Sequence, residues 1–228
     1  MLILGIDTST SVCSLALYDG QKVFCEWSVD NGFTHSEKMM PQLDMMLENS
    51  SINKKAIQGI SVSMGPGSFT GLRIGIACAK TMAYALKIPV CAVPTLTSLA
   101  YNLPVDDVWL SPLVDGQKGN VYQAIYQWQQ GKLQTIKEIE FLPYNDVLSF
   151  LAQSGKDCLL MGEELPGELP ENVRQAPANC FKPKAASVAM LGYERLVKGE
   201  SDDVFSLEPY YMKKSEAEIL WEKRNSNT

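Results

Sequence analysis

The sequence predicts an α/β protein with two lobes whose strands and helices follow the same order. The chain has 228 residues, of which 46% are hydrophobic and 20% are charged. This length fits two modules of about 100 residues each. Each half opens with three predicted strands, and an aspartate, Asp7 or Asp115, follows the first strand of each half. The two halves repeat an order of elements and share no repeated sequence.

The first half is predicted to have the order βββαβαβα. Runs of apolar, often β-branched residues predict its strands, and apolar residues at helical spacing predict its helices. The strands are expected at 2–6, 12–18, 23–29, 57–64 and 90–93, and the later helices at 72–86 and 96–101. Asp19-Gly20 between the second and third strands predicts a type I′ hairpin turn, because both residues of that turn need a positive φ.

A first helix is predicted between the third and fourth strands. Thr34 and Glu37 have the spacing of a capping box, in which two side chains satisfy N–H groups of the first turn. Pro41 has no N–H group to contribute to a helix, so we expect a kink or a later start there.

The second half is predicted to have the order βββαβ, followed by a proline-rich loop and a helix. Its strands are expected at 108–114, 121–128, 133–141 and 158–161, its helices around 147–151 and at 185–197, and an irregular stretch at 163–183. Two such lobes are the pattern of the actin, sugar-kinase and Hsp70 (ASKHA) architecture. We expect lobes at 1–103 and 104–228, with the final segment packing back on the first lobe.

Composition excludes several classes of protein. The net charge of −6 argues against nucleic-acid binding by this chain alone, because phosphate contacts need a basic surface. No apolar run reaches the about 18 residues of a membrane-spanning helix, and the apolar start lacks the basic residues of a signal peptide. The six cysteines form no CxxC pair and no zinc-site spacing, so we expect a reducing, cytoplasmic location.

The first candidate site is the turn Asp7-Thr8-Ser9. In the expected architecture it lies at the first phosphate loop, where backbone N–H groups could face a phosphate and Asp7 could hold a metal or water. The alternative is a polar turn whose hydroxyl groups bond their own backbone. The residues alone favour this alternative.

The second candidate is the segment Gly65-Pro66-Gly67-Ser68-Phe69-Thr70-Gly71, which leads from a strand into a helix. Helix N-termini attract anions, and Arg73 is the nearest cation, but no Gly-Lys-Ser/Thr of a Walker A loop follows. The alternative is steric, because glycine lets the backbone turn sharply and approach a neighbour. The residues favour this second interpretation slightly.

Two helices have features of an interface. The helix predicted at 72–86 and the residue before it carry a strip with almost no side chain, formed by Gly71, Gly75, Ala79 and Ala83. Another part of this chain, or a partner helix, could pack closely against that strip. The preceding helix carries an apolar face rich in methionine, formed by Met39, Met40, Leu43, Met46 and Leu47. Methionine suits adaptable interfaces, although most such faces are core.

Catalysis by this chain alone is not predicted. His35 is its only histidine, which excludes a metal site built on two histidines. Thr34, Ser36 and Glu37 lie too close to His35 in sequence for a catalytic triad. We therefore predict no catalytic residue and no metal ligand.

Three motifs resemble the TsaB (YeaZ) family over nearly the whole chain. They are Gly5-Ile6-Asp7-Thr8-Ser9, then His35-Ser36-Glu37-Lys38-Met39-Met40-Pro41, and the long signature from Gly65 to Gly75. A family pattern Asp-Ala-Arg-Lys-Gly-Glu-Val-Tyr reads Asp-Gly-Gln-Lys-Gly-Asn-Val-Tyr at 115–122, where the arginine and glutamate are lost. A Pro-x-Tyr-Leu-Arg pattern reads Pro-Tyr-Tyr-Met-Lys at 209–213.

The resemblance implies a non-catalytic subunit of the complex that adds a threonylcarbamoyl group to the adenosine 3′ of the anticodon (t6A) in tRNAs that read codons starting with A. The implied partners are TsaD, a larger metal-bearing paralogue of the same fold, the small ATPase TsaE, tRNA through the complex, and a second copy of this chain. No intrinsic cofactor is implied, and ATP or ADP is expected only weakly or at the partner interface.

Pairing is implied through the first-lobe helices. The interface residues expected there are His35, Ser36, Glu37, Met39, Met40, Met46, Gly71, Leu72, Gly75, Ala79, Met82 and Ala83. The second hypothesis is a small ATP-dependent phosphotransferase of the same fold that uses Asp7 and the following turn, and ATP turnover by the isolated chain would distinguish it. The last residues show a helical pattern at Ile219, Leu220 and Trp221.

Overall fold

The computed structural model describes residues 1–30, 35–162 and 167–211, without the side chains of His35 and Ser36. Within these ranges the chain forms ten strands and five α-helices. The elements of the first half are β1 (Ile3–Asp7), β2 (Val12–Tyr18), β3 (Val23–Asp30), α1 (His35–Asn49), β4 (Gly59–Gly65), α2 (Phe69–Leu86), β5 (Val90–Pro94) and α3 (Thr95–Tyr101). Those of the second half are β6 (Trp109–Asp115), β7 (Asn120–Gln129), β8 (Lys132–Pro143), α4 (Tyr144–Ser154), β9 (Cys158–Gly162), β10 (Val173–Gln175) and α5 (Ala185–Leu196).

The strands form two five-stranded sheets with the same topology. The orders are β3-β2-β1-β4-β5 and β8-β7-β6-β9-β10. In each sheet the first strand of the half is antiparallel to the second and parallel to the fourth. The duplicated two-lobed α/β architecture expected from element order is therefore confirmed.

Each sheet is covered by helices on both faces. Leu4 and Ile6 of β1 pack in a core with α1 and α2, whereas Ile3, on the opposite face of the strand, packs with α5. In the second sheet Leu110 packs with α3 and Leu113 with α4. Helix α3 of the first half thus packs on the second sheet, and helix α5 of the second half packs on the first sheet. A division after residue 103 therefore separates the strands of the two sheets but leaves each sheet packed against one helix from the other half.

Helix α5 lies unusually close to the first sheet. A methyl group added at Gly5 would collide with the carbonyl oxygen of Ala185, and one added at Gly192 would collide with the Ser61 hydroxyl. The helix start is capped from the sheet, because the Ala185 N–H donates to Ser14 Oγ at 3.0 Å and the Ala186 N–H donates to Glu26 Oε1 at 3.0 Å. Such caps satisfy N–H groups that have no partner within the helix.

Side-chain hydrogen bonds join the C-terminal end of α3 to α5 and to the segment that precedes α5. The Ser187 hydroxyl donates to Asn102 Oδ1 at 2.7 Å, and Asn102 Nδ2 donates to the Lys182 carbonyl at 3.0 Å. The Tyr101 hydroxyl donates to Glu194 at 3.1 Å. These bonds tie the two lobes together where their helices cross.

The chain returns to the first lobe after α5. We call residues 202–211 the strap, since it runs along the outside of α2. Asp202 pairs with Val90 of β5, Leu207 is buried in the core beneath α1 and α2, and the Tyr210 N–H donates to the Met64 carbonyl at 2.7 Å. The strap therefore runs from the C-terminal end of α2 to its N-terminal end.

The expected type I′ turn of the first hairpin was wrong, and so was a later start of α1 after Pro41. The first hairpin has a positive φ only at Gly20, because the Asp19 carboxylate accepts the N–H groups of Gln21 and Lys22 and forms a different turn from type I′. Helix α1 continues through Pro41 and does not start after it. Thr34, the proposed cap of α1, lies outside the described residues.

Two further differences concern element bounds. Helix α2 begins at Phe69, three residues earlier than predicted, because Ser68 Oγ caps it by accepting the Gly71 N–H. The stretch predicted to be irregular contains the short strand β10. Three residues carry too little periodicity to be distinguished from a loop.

No helix among the described residues is both long enough and apolar enough to cross a membrane.

We predict that Gly5→Ala lowers the free energy of unfolding by about 1–3 kcal/mol, because the new methyl group meets a backbone oxygen that cannot move aside. Chemical denaturation followed by circular dichroism measures the change. An unchanged midpoint would contradict the close packing of α5 on β1.

Candidate functional site

The carboxylate of Asp7 is buried where β1 ends. Its side chain is 1% exposed. Oδ1 accepts the Ser9 N–H at 3.0 Å and the Ser9 hydroxyl at 2.8 Å, and Oδ2 accepts the Ser63 hydroxyl from β4. Hydrogen bonds of this kind stabilise a buried carboxylate. Asp7 therefore joins β1, β4 and the turn that follows β1.

The turn after Asp7 packs directly on the start of α2. The Thr8 hydroxyl donates to the Gly71 carbonyl at 2.7 Å, and the Ser68 N–H donates to the Ser9 carbonyl at 2.7 Å. Thr8 and Ser9 are each 1% exposed.

The glycines of the signature make this contact possible. A methyl group added at Gly67 would collide with the Ser9 carbonyl oxygen, one at Gly71 with the Thr8 carbonyl oxygen, and one at Gly75 with the Thr8 hydroxyl. Only glycine lets two backbones approach so closely. The steric interpretation of the glycine-rich segment is thus supported.

The phosphate-loop interpretation of Asp7, Thr8 and Ser9 is not supported by this geometry. All three side chains bond within the chain and are nearly inaccessible to solvent. The Ser9 carbonyl accepts a hydrogen bond from the Ser68 N–H at the start of α2. An anion bound at a helix N-terminus would use N–H groups at this position. The polar groups of the turn hold the first lobe together.

The corresponding loop of the second half is built differently. Asp115 ends β6 as Asp7 ends β1, but it is exposed, and its Oδ1 accepts the Gln117 N–H at 2.8 Å. Gln117, Lys118 and Gly119 all have a positive φ. This loop is a local turn on the surface, consistent with its departure from the family pattern.

Most of the expected interface residues are buried in the core of this chain. Eight of them are buried: Met39, Met46, Gly71, Leu72, Gly75, Ala79, Met82 and Ala83. Met40 is half-buried. Glu37 is exposed, and the side chains of His35 and Ser36 are outside the described part. The bare strip on α2 faces Thr8 and its own sheet, so the buried members cannot offer a surface to a partner.

The surface of these helices consists of other residues. On α2 the exposed positions include Thr70, Arg73, Ala77, Thr81 and Tyr84, which recur along one stripe. On α1 Met45 is 48% exposed. Sequence patterns ranked residues by apolarity and so selected the core faces of both helices.

An aromatic and cationic cluster lies at the start of α2. The Arg73 guanidinium stacks on Phe69, 3.8 Å from the ring centroid, and Arg73 Nε donates to the Tyr211 hydroxyl at 2.9 Å. The Phe69 and Tyr211 rings lie 4.8 Å apart. Arg73 of the signature thus contacts the Pro-Tyr-Tyr motif of the strap. The presence of both motifs was the only sequence signal for this contact.

Comparison with known proteins gives the family of this chain. It is 33% identical over 97% of its length to the tRNA threonylcarbamoyladenosine biosynthesis protein TsaB of Bacillus subtilis, and the match covers 98% of that relative. The chain belongs to the TsaB family. The TsaB protein of Escherichia coli is 32% identical over 56% of this chain and 55% of that protein.

Two further comparisons agree with this TsaB assignment. The family model described as TsaD, tRNA N6-adenosine threonylcarbamoyltransferase, matches residues 32–221. The structure of YeaZ from Pseudomonas aeruginosa superposes with a TM-score of 0.76 at 26% identity, and the match covers 92% of this chain and 99% of that one. The fold is therefore shared over nearly the full length.

The described residues contain no cluster of three or more His, Cys, Asp or Glu side chains able to hold a metal ion. All six cysteines are free thiols. Burial raises the pKa of Cys158 to about 12, and burial together with the nearby Asp7 raises that of Cys13 to about 11. A thiolate is the reactive form of cysteine, so neither thiol is a nucleophile near neutral pH.

The contact between Gly75 and Thr8 predicts coupled mutations. Alanine is favoured over glycine in a helix by about 1 kcal/mol, but the overpacking caused by Gly75→Ala should cost about 1–3 kcal/mol. Thr8→Ala removes the colliding hydroxyl, so the double variant should lose less stability than the two single losses added together. Chemical denaturation of the original protein, the two single variants and the double variant completes this double-mutant cycle. Additive losses of stability would contradict the contact.

The cysteines predict a dependence on pH. Because the folded-state pKa of Cys158 is raised from 9.0 to about 12, its contribution to stability should be complete below pH 9 and lost as the pH rises towards 12. At pH 8 a disulfide reagent should label Cys13 and Cys158 only after unfolding, as judged by mass spectrometry of the labelled peptides. Rapid labelling of either thiol in the native protein would contradict its burial.

Proposed function

We propose that this chain is a non-catalytic partner subunit in the synthesis of threonylcarbamoyladenosine in tRNA. Membership in the TsaB family supports involvement in this pathway, since the curated relatives bear that name. The observation that favours a partner over a catalyst is the burial of Asp7, Thr8 and Ser9, whose polar groups bond within the fold. A cytoplasmic location goes with this proposal.

The main partner proposed is a larger paralogue of the same fold, of the TsaD type. A tRNA N6-adenosine threonylcarbamoyltransferase from Persephonella marina is 32% identical over 109 residues, which are 41% of this chain. Identical chains pair through the same patch in two-fold dimers, and we propose that this chain and its paralogue pair through equivalent surfaces. The TsaE-type ATPase, tRNA held by the complex and a second copy of this chain complete the proposed set of partners.

The proposed surface for pairing is the outer face of α1 and α2. Its exposed residues include Met45 on α1 and Ala77 and Thr81 on α2. Small residues on a helix let a second helix approach closely, and an exposed methionine adapts to different partners. The buried Met39, Met46 and Gly75 support this surface from beneath, because they fix both helices on the sheet.

The phosphotransferase hypothesis gains no support from this site. It requires Asp7 and the following turn to reach a bound nucleotide, and the side chains of that turn are buried and hydrogen-bonded. Binding of ATP or ADP at a partner interface is compatible with the proposed role.

Reconstitution tests the proposal. The chain is mixed with the TsaD-type and TsaE-type proteins of the same organism, tRNA and substrates, and t6A is measured by mass spectrometry of nucleosides. We expect t6A only when this chain is present, and a stable complex with the TsaD-type protein by size-exclusion chromatography. Full activity without the chain, or no complex at micromolar concentration, would overturn the proposal.

The surface assignment predicts the effect of Met45→Glu. An uncompensated charge at a pairing surface should weaken assembly about tenfold or more, since tenfold corresponds to about 1.4 kcal/mol. Ile136→Glu is the matched control, because Ile136 is 42% exposed but lies on β8 of the second lobe. Titration with the TsaD-type protein measures both affinities, and equal effects would contradict the assignment.

A further inference from the structure

The guanidinium group of Arg73 has one face that no ring of the described residues covers. Its carbon lies 3.8 Å from the centroid of the Phe69 ring and 5.8 Å from that of the Tyr211 ring, and these two centroids lie 4.8 Å apart. Such distances require both rings to lie on the same side of the guanidinium group. Because Arg73 is exposed, its opposite face is left to solvent.

Arg73 also has no acidic partner among the described residues. Its Nε donates to the Tyr211 hydroxyl at 2.9 Å, and the ion pairs of the described chain are formed by other residues. Phe69 and Tyr211 hold the guanidinium group in a fixed position, so little side-chain freedom is lost when a second group stacks on it. The open face is therefore prepared for a flat or anionic group of another molecule.

Two exposed aromatic rings lie at the other end of α2. The Phe205 ring of the strap packs edge-on against the Tyr84 ring of α2, with the centroids 5.8 Å apart. Phe205 is 75% exposed and Tyr84 is 66% exposed, which are the highest values among the large hydrophobic side chains of the described chain. No cation of the described residues lies over either ring. The pair therefore offers ring surface to a cation from outside the chain.

The two ends of α2 are too far apart to meet within one chain. Arg73 and Tyr84 are eleven residues apart, which is about 17 Å at 1.5 Å per residue. The exposed residues between them, Ala77 and Thr81, are small. Lys80 is directed to the strap, where its Nζ donates to two carbonyl groups at 3.0 and 2.9 Å. No bulky side chain thus keeps a second molecule away from this stretch of the helix.

We propose that the Tyr84–Phe205 pair binds Arg73 of a second copy of this chain. A two-fold axis normal to the surface, through the midpoint between Arg73 and Tyr84, exchanges the two ends of α2 and sets the two helices antiparallel. Each guanidinium group then has Phe69 of its own chain on one face and the aromatic pair of the other copy on the opposite face. Two identical contacts form, as a two-fold interface requires, and each is a favourable cation–π contact.

A second copy is favoured as the occupant because this chain supplies both halves of the contact. One end of α2 has a cation with an open face, and the other end has aromatic rings without a cation. A single two-fold operation satisfies both ends at once. A partner that carried only a carboxylate would cover Arg73 and leave Phe205 and Tyr84 in water.

The consequence of this inference rests on the proposed function. The contact lies on α2, whose outer face is also the surface proposed for the TsaD-type protein. The second copy and the TsaD-type protein therefore compete for the same helix. Addition of the TsaD-type protein should dissociate the dimer of this chain.

Sedimentation equilibrium of the full chain tests the contact without any other protein. We expect Phe205→Ala and Arg73→Ala each to weaken dimerisation about tenfold or more, because each change removes both cation–π contacts of the dimer. Phe150→Ala is the matched control, since Phe150 is 40% exposed but lies on α4 of the second lobe. It should leave dimerisation unchanged, and circular dichroism verifies that all three variants are folded.

A mixture of the two variants separates this contact from a general loss of structure. A dimer of one Arg73→Ala chain and one Phe205→Ala chain keeps one complete contact, formed by Arg73 of the second chain and Phe205 of the first. A dimer of either variant alone keeps none. We therefore expect mixed dimers in excess of their statistical share, as native mass spectrometry with one isotopically labelled chain would measure.

Three outcomes would overturn the inference. They are a monomer at the highest attainable concentration, dimerisation that Phe205→Ala does not weaken, and a mixture of the two variants without an excess of mixed dimers. The second would place the dimer contact elsewhere, and the third would pair Arg73 with a different group. If mixed dimers form as expected but no TsaD-type protein binds, the proposed function fails and the dimer contact stands.

Discussion

The first lobe depends on the contact between two backbones, that of Thr8 and Ser9 and that of the glycine-rich start of α2. Gly67, Gly71 and Gly75 have no side chain because each faces an atom of that turn. The contact fixes α2 on the sheet, and Ser68 begins the helix while bonding Ser9. The position of α2 then determines where the strap and α1 leave a surface.

The same contact occupies the polar groups of the turn within the fold. Here Asp7 is buried and bonds Ser9 and Ser63, whereas Asp115 at the equivalent strand end is exposed in a surface turn. The polar residues of the first loop stabilise the structure, and the pairing surface proposed above lies on the outer face of α1 and α2.

Element order was readable from the sequence because strand and helix periods are strong local signals. The duplicated topology and most strand positions followed from it. The partners of each helix did not, since the exchange of α3 and α5 between halves depends on long-range packing that no local period encodes. Met39, Met46 and Gly75 were assigned to an interface because apolar periodicity marks a buried face and does not tell a core from a partner. Only the structure separates them from Met45 and Ala77.

The most direct test of this account is calorimetric titration of the isolated full chain with Mg-ATP and Mg-ADP. The account predicts no saturable binding at Asp7, because the turn is closed by its own hydrogen bonds and by the glycines of α2. Saturable micromolar binding that Asp7→Asn abolishes, in a variant that circular dichroism shows to be folded, would contradict it. The turn would then open to a nucleotide, and the role of this chain would have to include that ligand.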